Sequence, residues 1–305
     1  MEILYLLEKI RVPVLNEFML AITTLGEETA FLVIALVLFW CVDKYVGYYT
    51  LSVGFVGTIL SQFMKLWFRI PRPWLIDKDF TALEQAIPAA TGYSFPSGHT
   101  QSAVGTLGSI AYTTKHKVVR IVAIVLAALV AFSRMYLGVH TPLDVGVGIL
   151  ISVVLVFALR PLVLNNRQKR MPWLLAGMIF LGVGYLCYLL FWPFSDAVKA
   201  DDNYLHGLEN AYTLLGALIG LVIVYIVDEK WLHFSTKAVW WAQILKVVFG
   251  LALVLVVKSG TKGLLNMLLG ESLGRMVRYC LIVVVAGILW PLTFRWFSKL
   301  GKKEA

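Results

Sequence analysis

Apolar positions in this chain come in long unbroken runs, separated by short polar connections. Strict alternation of apolar and polar residues would signal half-buried strands. Runs of roughly 20 apolar residues instead match the helix length that crosses the hydrocarbon core of a bilayer. On that criterion the pattern predicts about nine spans, at 21–42, 46–66, 97–114, 118–138, 141–161, 172–194, 209–228, 238–257 and 277–297. The pattern is weakest in the first, where Glu27 and Glu28 intrude, and in the third, which is short and rich in Ser, Thr and Gly. The expected fold class is all-α, a polytopic integral membrane helical bundle. The longest polar connections are 67–96, 195–208 and 258–276. The last mixes Gly, Leu, Ser and Asn and is expected to be an interfacial or partly re-entrant element, with an ordinary loop as the alternative. Residues 1–20 differ from a cleavable leader, because Glu2, Glu8, Lys9 and Arg11 interrupt the apolar positions and no small-residue cleavage site follows. They are expected to form an amphipathic segment lying on the bilayer surface.

Composition strengthens this picture. The chain is 59% hydrophobic and only 15% charged, with a mean hydropathy of +0.79; a soluble domain would have about 25% charged residues. The net charge of +9 does not point to nucleic acid, because the basic residues lie between apolar runs and not on one soluble face. Cys41, Cys187 and Cys280 fall in apolar segments without a pairing pattern and read as structural thiols.

Charge also orients the chain. One set of connections (Asp43-Lys44, 115–120, 160–170, 228–237 and the tail from Arg295) holds 14 lysines and arginines, and the opposite set holds 12. Lys246 lies inside a span and is expected to snorkel back to the interface. Three of the 12 belong to motifs with another use, which leaves 9 against 14. The positive-inside bias places the first set, with the C-terminus, in the cytoplasm. The N-terminus and the motifs described next are then extracytoplasmic, and the expected location is the plasma (cytoplasmic) membrane.

Three short sites gather charge in this apolar chain: Lys65-x6-Arg72-Pro73, Pro96-Ser97-Gly98-His99, and Ser133-Arg134-x5-His140-x3-Asp144. Charge at membrane depth is expensive and usually marks function. Each site also has a plainer reading. Lys65 with its aromatic neighbours suits a bilayer interface, but Arg72 is flanked by Pro71 and Pro73, and a fixed backbone aims a guanidinium. Ser97 reads as a helix N-cap, while Gly98 lets backbone amides approach a phosphate at a helix N-terminus, with His99 facing the same pocket. Thr141, Pro142 and Asp144 read as a capping box, which explains neither Arg134 nor His140. In the functional reading, Asp144 binds one nitrogen of His140 and leaves the other as a nucleophile. His99, His140 and Asp144 could also be read as a metal site, against which three nearby cations argue; no metal and no cofactor is expected.

Taken together, the eleven specified residues at these spacings resemble the signature of the type 2 phosphatidic acid phosphatase family, with all three motifs present and no departure. The resemblance covers roughly residues 55–150. About nine spans with the motif face opposite the C-terminus also resemble the glucose-6-phosphatase branch, on topology only. The resemblance implies that His140 attacks phosphorus, Asp144 orients it, and His99 protonates the leaving oxygen. It further implies that Lys65, Arg72, Arg134, Ser97 and Gly98 hold the phosphate oxygens. The vanadate-containing haloperoxidases share a similar cradle, but the membrane spans argue against that activity.

The expected organisation is an interfacial segment at 1–20, a phosphatase core at 21–165, and further membrane helices of unknown role at 166–305. The expected activity is metal-independent hydrolysis of a lipid phosphomonoester or pyrophosphate, with substrate and membrane lipids as partners. The alternatives are a phosphotransferase, a sugar-phosphate phosphatase, and a non-catalytic lipid-handling or transport protein. Trp74 is expected to meet a lipid tail or anchor the interface, and His116, His206 and His233 to be solvated loop residues. Oligomeric state has no signature in the sequence.

Overall fold

The computed structural model describes residues 1–165 and 167–300, and every regular element among them is helical. Lys302 and Lys303, part of the cytoplasmic charge tally, lie outside the described residues. The helices are α1 (Glu2–Lys9), α2 (Pro13–Thr23), α3 (Glu28–Val37), α4 (Lys44–Phe68), α5 (Pro73–Ile76), α6 (Gly98–Thr113), α7 (Lys117–Tyr136) and α8 (Pro142–Val163). They continue as α9 (Arg167–Phe191), α10 (Asp196–Lys199), α11 (Asp202–Val227), α12 (Trp240–Gly260) and α13 (Lys262–Val284). Among the described residues seven helices are long and apolar enough to cross a membrane, or eight if a bent pair counts as one span.

The count differs from nine for two physical reasons. The apolar run expected at 21–42 is broken: α2 ends in a 3₁₀ turn at Thr24–Gly26, and the chain then bends by 58° into the helix beginning at Glu28. Glu27 and Glu28 sit at that break. The run at 97–114 forms α6, whose 16 residues give about 24 Å at ~1.5 Å per residue, short of a ~30 Å core.

The chain divides into two compact units. The first comprises residues 1–32, 49–165 and 193–207, and it contains all three motifs. At its centre α6 packs against both α7 and α8. Small residues allow the close approach. A Cβ at Gly148 would lie 2.9 Å from the Ser97 carbonyl, and Ser152 Oγ donates to the Gln101 carbonyl at 2.7 Å. In a membrane, where lipid is as apolar as Leu, such van der Waals and polar contacts are what hold helices together.

Residues 1–20 make polar contacts with other parts of the first unit. Arg11 donates to the carbonyls of Tyr136 (3.0 Å) and Thr81 (2.6 Å), and Tyr5 donates to Asp77 (2.9 Å). The segment thereby braces the loop after α5 and the end of α7, while Ile3, Leu6, Val14 and Phe18 keep an apolar exposed face.

The second unit comprises residues 33–48 and 208–300, with α9 up to residue 192. Gly216 and Gly220, four apart on α11, approach the Met276 and Cys280 carbonyls of α13, leaving 2.0 and 2.9 Å for a Cβ. Asp228 is fully buried and pairs with Lys44 at 2.6 Å. Lys246 does not reach solvent: it is fully buried, and its ammonium donates to the carbonyls of Thr236 (3.0 Å) and Trp40 (3.3 Å) and to Gln243 Oε1 (3.1 Å). It points toward the start of its helix, as snorkelling requires, but ends in a cage of carbonyls. The 258–276 segment is helical and not an ordinary loop. It is interrupted at Gly270 (φ 75°, ψ 173°), where only glycine is unstrained.

Candidate active site

The site forms where three chain segments converge in the first unit. α4 ends at Arg69, a non-glycine residue at φ 50°, and this left-handed turn redirects the chain into Pro71-Arg72-Pro73. Pro73 opens α5 with Arg72 as its N-cap residue. Lys65 lies one helical turn before the break. Both cations are buried, at 7% and 4% exposure.

The second segment begins α6. Ser97 is its N-cap, accepting from the Thr100 hydroxyl (2.9 Å) and amide (3.4 Å). This is the plain capping role, and its cost of loss is about 1 kcal/mol. The position a Cβ would take at Gly98 faces open space. His99 follows, held from behind by Gly26: a Cβ there would lie 2.7 Å from the His99 carbonyl. His99 Nε2 is buried and has no hydrogen-bond partner.

The third segment joins α7 to α8. Gly138 (φ +77°) reverses the chain, so that the amides of Val139 and His140 both return to the Arg134 carbonyl at 3.2 Å. A Cβ at Gly138 would also meet Arg11 and Phe80 at 2.6 and 2.8 Å. Thr141 and Asp144 form the capping box: the Thr141 amide donates to Asp144 Oδ2 (2.7 Å) and the Asp144 amide to Thr141 Oγ1 (3.2 Å). Asp144 Oδ2 also accepts from Ser94 Oγ at 2.6 Å and lies 3.5 Å from His140 Nδ1. One carboxylate thus completes the capping box and also approaches the His140 ring. The Ser97 amide donates to the Asp144 carbonyl (3.0 Å), which ties the second motif to the third.

Arg72 Nη1 lies 2.8 Å from His140 Nε2. A guanidinium can only donate, so Nε2 in this contact carries a lone pair and the ring proton sits on Nδ1, facing Asp144. Burial first, and then the positive charges of Arg72, Arg134 and Lys65 with a smaller push from His99, hold the His140 imidazole well below the ordinary histidine range. It is neutral at physiological pH.

The three cations are held by uncharged groups. Arg72 donates to the carbonyls of Thr91 (2.7 Å), Gly92 (3.0 Å) and Val139 (3.0 Å), and Lys65 to that of Tyr93 (2.7 Å). Arg134, fully buried, donates to Thr23 Oγ1 (2.6 Å), while its Nε and Nη2 have no hydrogen-bond partner. Among the described residues no ion pair joins any of the three to a carboxylate. Nor do three or more His, Cys, Asp or Glu side chains gather as a metal set among the described residues. Buried cations without a carboxylate in direct contact are costly and bind an anion strongly.

All eight residues singled out from the sequence thus lie in this one unit. Trp74 is partly buried and packs against a cluster that includes Met19, Ala82, Ala86 and Tyr136. Sequence reasoning did not identify Thr23, Ser94, Gly26 or the carbonyls of 91–93. Ser94 was within reach of it, two residues before Pro96. Thr23 has no sequence signal, because only the fold brings it to Arg134.

Comparison with known proteins agrees with the three motifs. Residues 44–168 match the PAP2 superfamily, and residues 212–303 match the transmembrane extension of PAP2 superfamily phosphatases. Phosphatidylglycerophosphatase B of Bacillus subtilis is 34% identical over 164 residues, covering 50% of this chain and 76% of that protein. Undecaprenyl-diphosphatase of Sulfolobus acidocaldarius is 33% identical over 154 residues, covering 50% of this chain and 72% of that protein. Sphingosine-1-phosphate phosphatase 1 of Mus musculus is 26% identical over 263 residues, 78% of this chain and 57% of that protein. The chain belongs to the PAP2 superfamily. It is an integral membrane protein and a phosphatase of that superfamily.

Proposed function

We propose that this chain hydrolyses a lipid phosphomonoester or pyrophosphate at the outer face of the membrane, through a phosphohistidine at His140 and without a metal. The observation that carries the reading is a neutral His140 imidazole with Arg72 at 2.8 Å from Nε2 and Asp144 at 3.5 Å from Nδ1, in the field of two further buried cations, Lys65 and Arg134. A substrate phosphate draws Arg72 from the imidazole to its own oxygens, which exposes the Nε2 lone pair. His140 Nε2 then attacks phosphorus. The bond to the leaving oxygen breaks, and His99, which takes up a proton as the bound phosphate offsets the neighbouring cations, supplies that proton to the leaving oxygen. In the second half, a water gives its proton to His99 and attacks the phosphohistidine, releasing inorganic phosphate and restoring the imidazole. Lys65, Arg72 and Arg134, with the Ser97 hydroxyl and the Gly98 amide, neutralise the non-bridging oxygens. Phosphoryl transfer asks for little beyond positioning and charge neutralisation, and fixed cations in a low-dielectric site supply both.

Two observations support a lipid substrate. Trp67, Phe68, Leu75 and Ile76, which bracket Arg72 in sequence, are exposed apolar residues. The relatives named above act on a phosphate or diphosphate carried by a lipid. The charge asymmetry of the connections supports an extracytoplasmic site and a cytoplasmic C-terminus, and the proposed location is the plasma membrane. Residues 21–165 are read as the phosphatase core.

Phosphate release should survive EDTA and be blocked by orthovanadate, which mimics the pentacoordinate state. If EDTA abolishes release and zinc restores it, the metal-free reading is wrong. Sidedness has its own check: a cysteine introduced at Lys117 should react in intact cells only with membrane-permeant reagents, and labelling by an impermeant reagent would invert the orientation.

A further inference from the structure

The connection between α9 and α11, residues 193–207, comes late in the sequence yet belongs to the catalytic unit. It meets the loop that precedes α6. Tyr93 Oη donates to Asp201 Oδ2 at 2.9 Å, and Thr91 Oγ1 lies 3.5 Å from His206 Nε2. The same short stretch supplies carbonyls to two of the site's cations: Thr91 and Gly92 to Arg72, and Tyr93 to Lys65. The side chains of 91 and 93 therefore face the connection while their carbonyls face the cations.

Asp201 is fixed in turn. Its Oδ1 accepts from the Asn203 amide and side chain, both at 2.8 Å. Tyr204 and Phe194, both buried, close the connection on itself in an edge-to-face contact at 5.4 Å.

We propose that residues 193–207 act as a strap on the phosphate site, and that Tyr93 and Asp201 are positioning residues for Lys65 and Arg72. The proposal rests on the phosphate-binding role given to those cations above. The physical argument is preorganisation. The loop from Asp77 to Pro96 has a single 3₁₀ turn as its regular structure, so its carbonyls have no helix or sheet to fix them. A long cationic side chain held by a mobile carbonyl regains rotamer freedom, which must be lost again when an anion binds. Tying Tyr93 to Asp201 removes that freedom beforehand, and the cations then meet the phosphate without reorganisation. Partial burial, and then the hydrogen bond to Asp201, push the Tyr93 phenol up to about 12. The phenol thus remains the donor at any working pH.

The test uses the full chain in detergent and reads orthovanadate affinity from thermal protection, which requires no turnover. Tyr93→Phe and Asp201→Ala should each weaken orthovanadate binding about tenfold, the worth of one hydrogen bond to a charged group. The double variant should be no weaker than either single, because both remove the same bond. Asp201→Glu, which keeps an acceptor, should recover most of the affinity. Unliganded melting temperatures should stay near wild type. In turnover assays KM should rise by the same factor while kcat stays within about twofold, since positioning acts on binding. Wild-type orthovanadate affinity in either single variant, or a double variant whose loss is the product of the singles, overturns the strap. Turnover by the otherwise wild-type chain that persists in His140→Ala overturns the hydrolase mechanism instead, and leaves the affinity series to judge the strap alone.

Discussion

Replacing His140 with Ala should reduce phosphate release by about 10⁴-fold or more, the scale on which enzymes lose a covalent nucleophile, with the helical fold retained. The fold should survive because His140 contributes little to its own surroundings. Its amide bond to the Arg134 carbonyl is main-chain and unaffected, and Arg72 keeps three carbonyl partners without the imidazole. Asp144→Asn should be milder. The capping-box bond from the Asp144 amide to Thr141 remains, and what is lost is the charge that stabilises the imidazolium character developing as His140 becomes phosphorylated. Measured turnover of His140→Ala on a lipid phosphate, beside circular dichroism of the same preparation, separates loss of chemistry from loss of fold. Wild-type turnover in the variant would remove His140 from the reaction.

Arg134→Lys should lower kcat/KM by about 10²–10³-fold, comparable with the loss of one preorganised donor at a developing oxyanion. Lysine keeps the charge but not the fork. Arg134 uses Nη1 on Thr23 and presents Nε and Nη2, both buried and without a protein partner. An ammonium on a shorter stem cannot make the Thr23 contact and present two further donors in a plane. Thr23→Val should show a weaker version, about tenfold, because it releases the guanidinium without removing it. Steady-state kinetics on both variants decide the matter. An Arg134→Lys enzyme within about twofold of wild type would mean that charge alone suffices and that the planar geometry carries no specificity.

The fold was legible in the sequence wherever a simple period was the only force at work. The spans expected at 46–66, 118–138, 141–161 and 238–257 appear as α4, α7, α8 and α12, with ends displaced by a few residues. Expectation failed where polar and packing forces competed with length. Glu27 and Glu28 broke the first run, and α6 is short because its Ser, Thr and Gly positions pack inside the bundle and need not face lipid. Gly216 and Gly220 carried a readable small-residue spacing for the α11–α13 contact that was not used. Lys246 was placed in the right direction but not in its carbonyl cage, because the carbonyls that cage it come from Trp40 and Thr236, outside its own helix.

The candidate site was legible as residue types and spacings, and its convergence followed from the family resemblance. Its supports were not legible. Carbonyl oxygens at 91–93, the hydroxyl of Thr23 and the tether from Asp201 are contacts across 19 to 111 positions of sequence, and no local pattern encodes them. That explains why the motif residues carry the chemistry in the sequence while the groups that aim them emerge only in the fold.

The central claim is that His140 carries the phosphoryl group. The most direct measurement is to mix the purified protein with a phosphate-labelled lipid substrate, quench within one turnover, and map the label by peptide. The account predicts an acid-labile, base-stable phosphoryl group on the peptide containing His140, absent from His140→Ala and absent after pre-incubation with orthovanadate. Label on His99 or on a serine, or turnover at the wild-type rate with no labelled peptide, would contradict it.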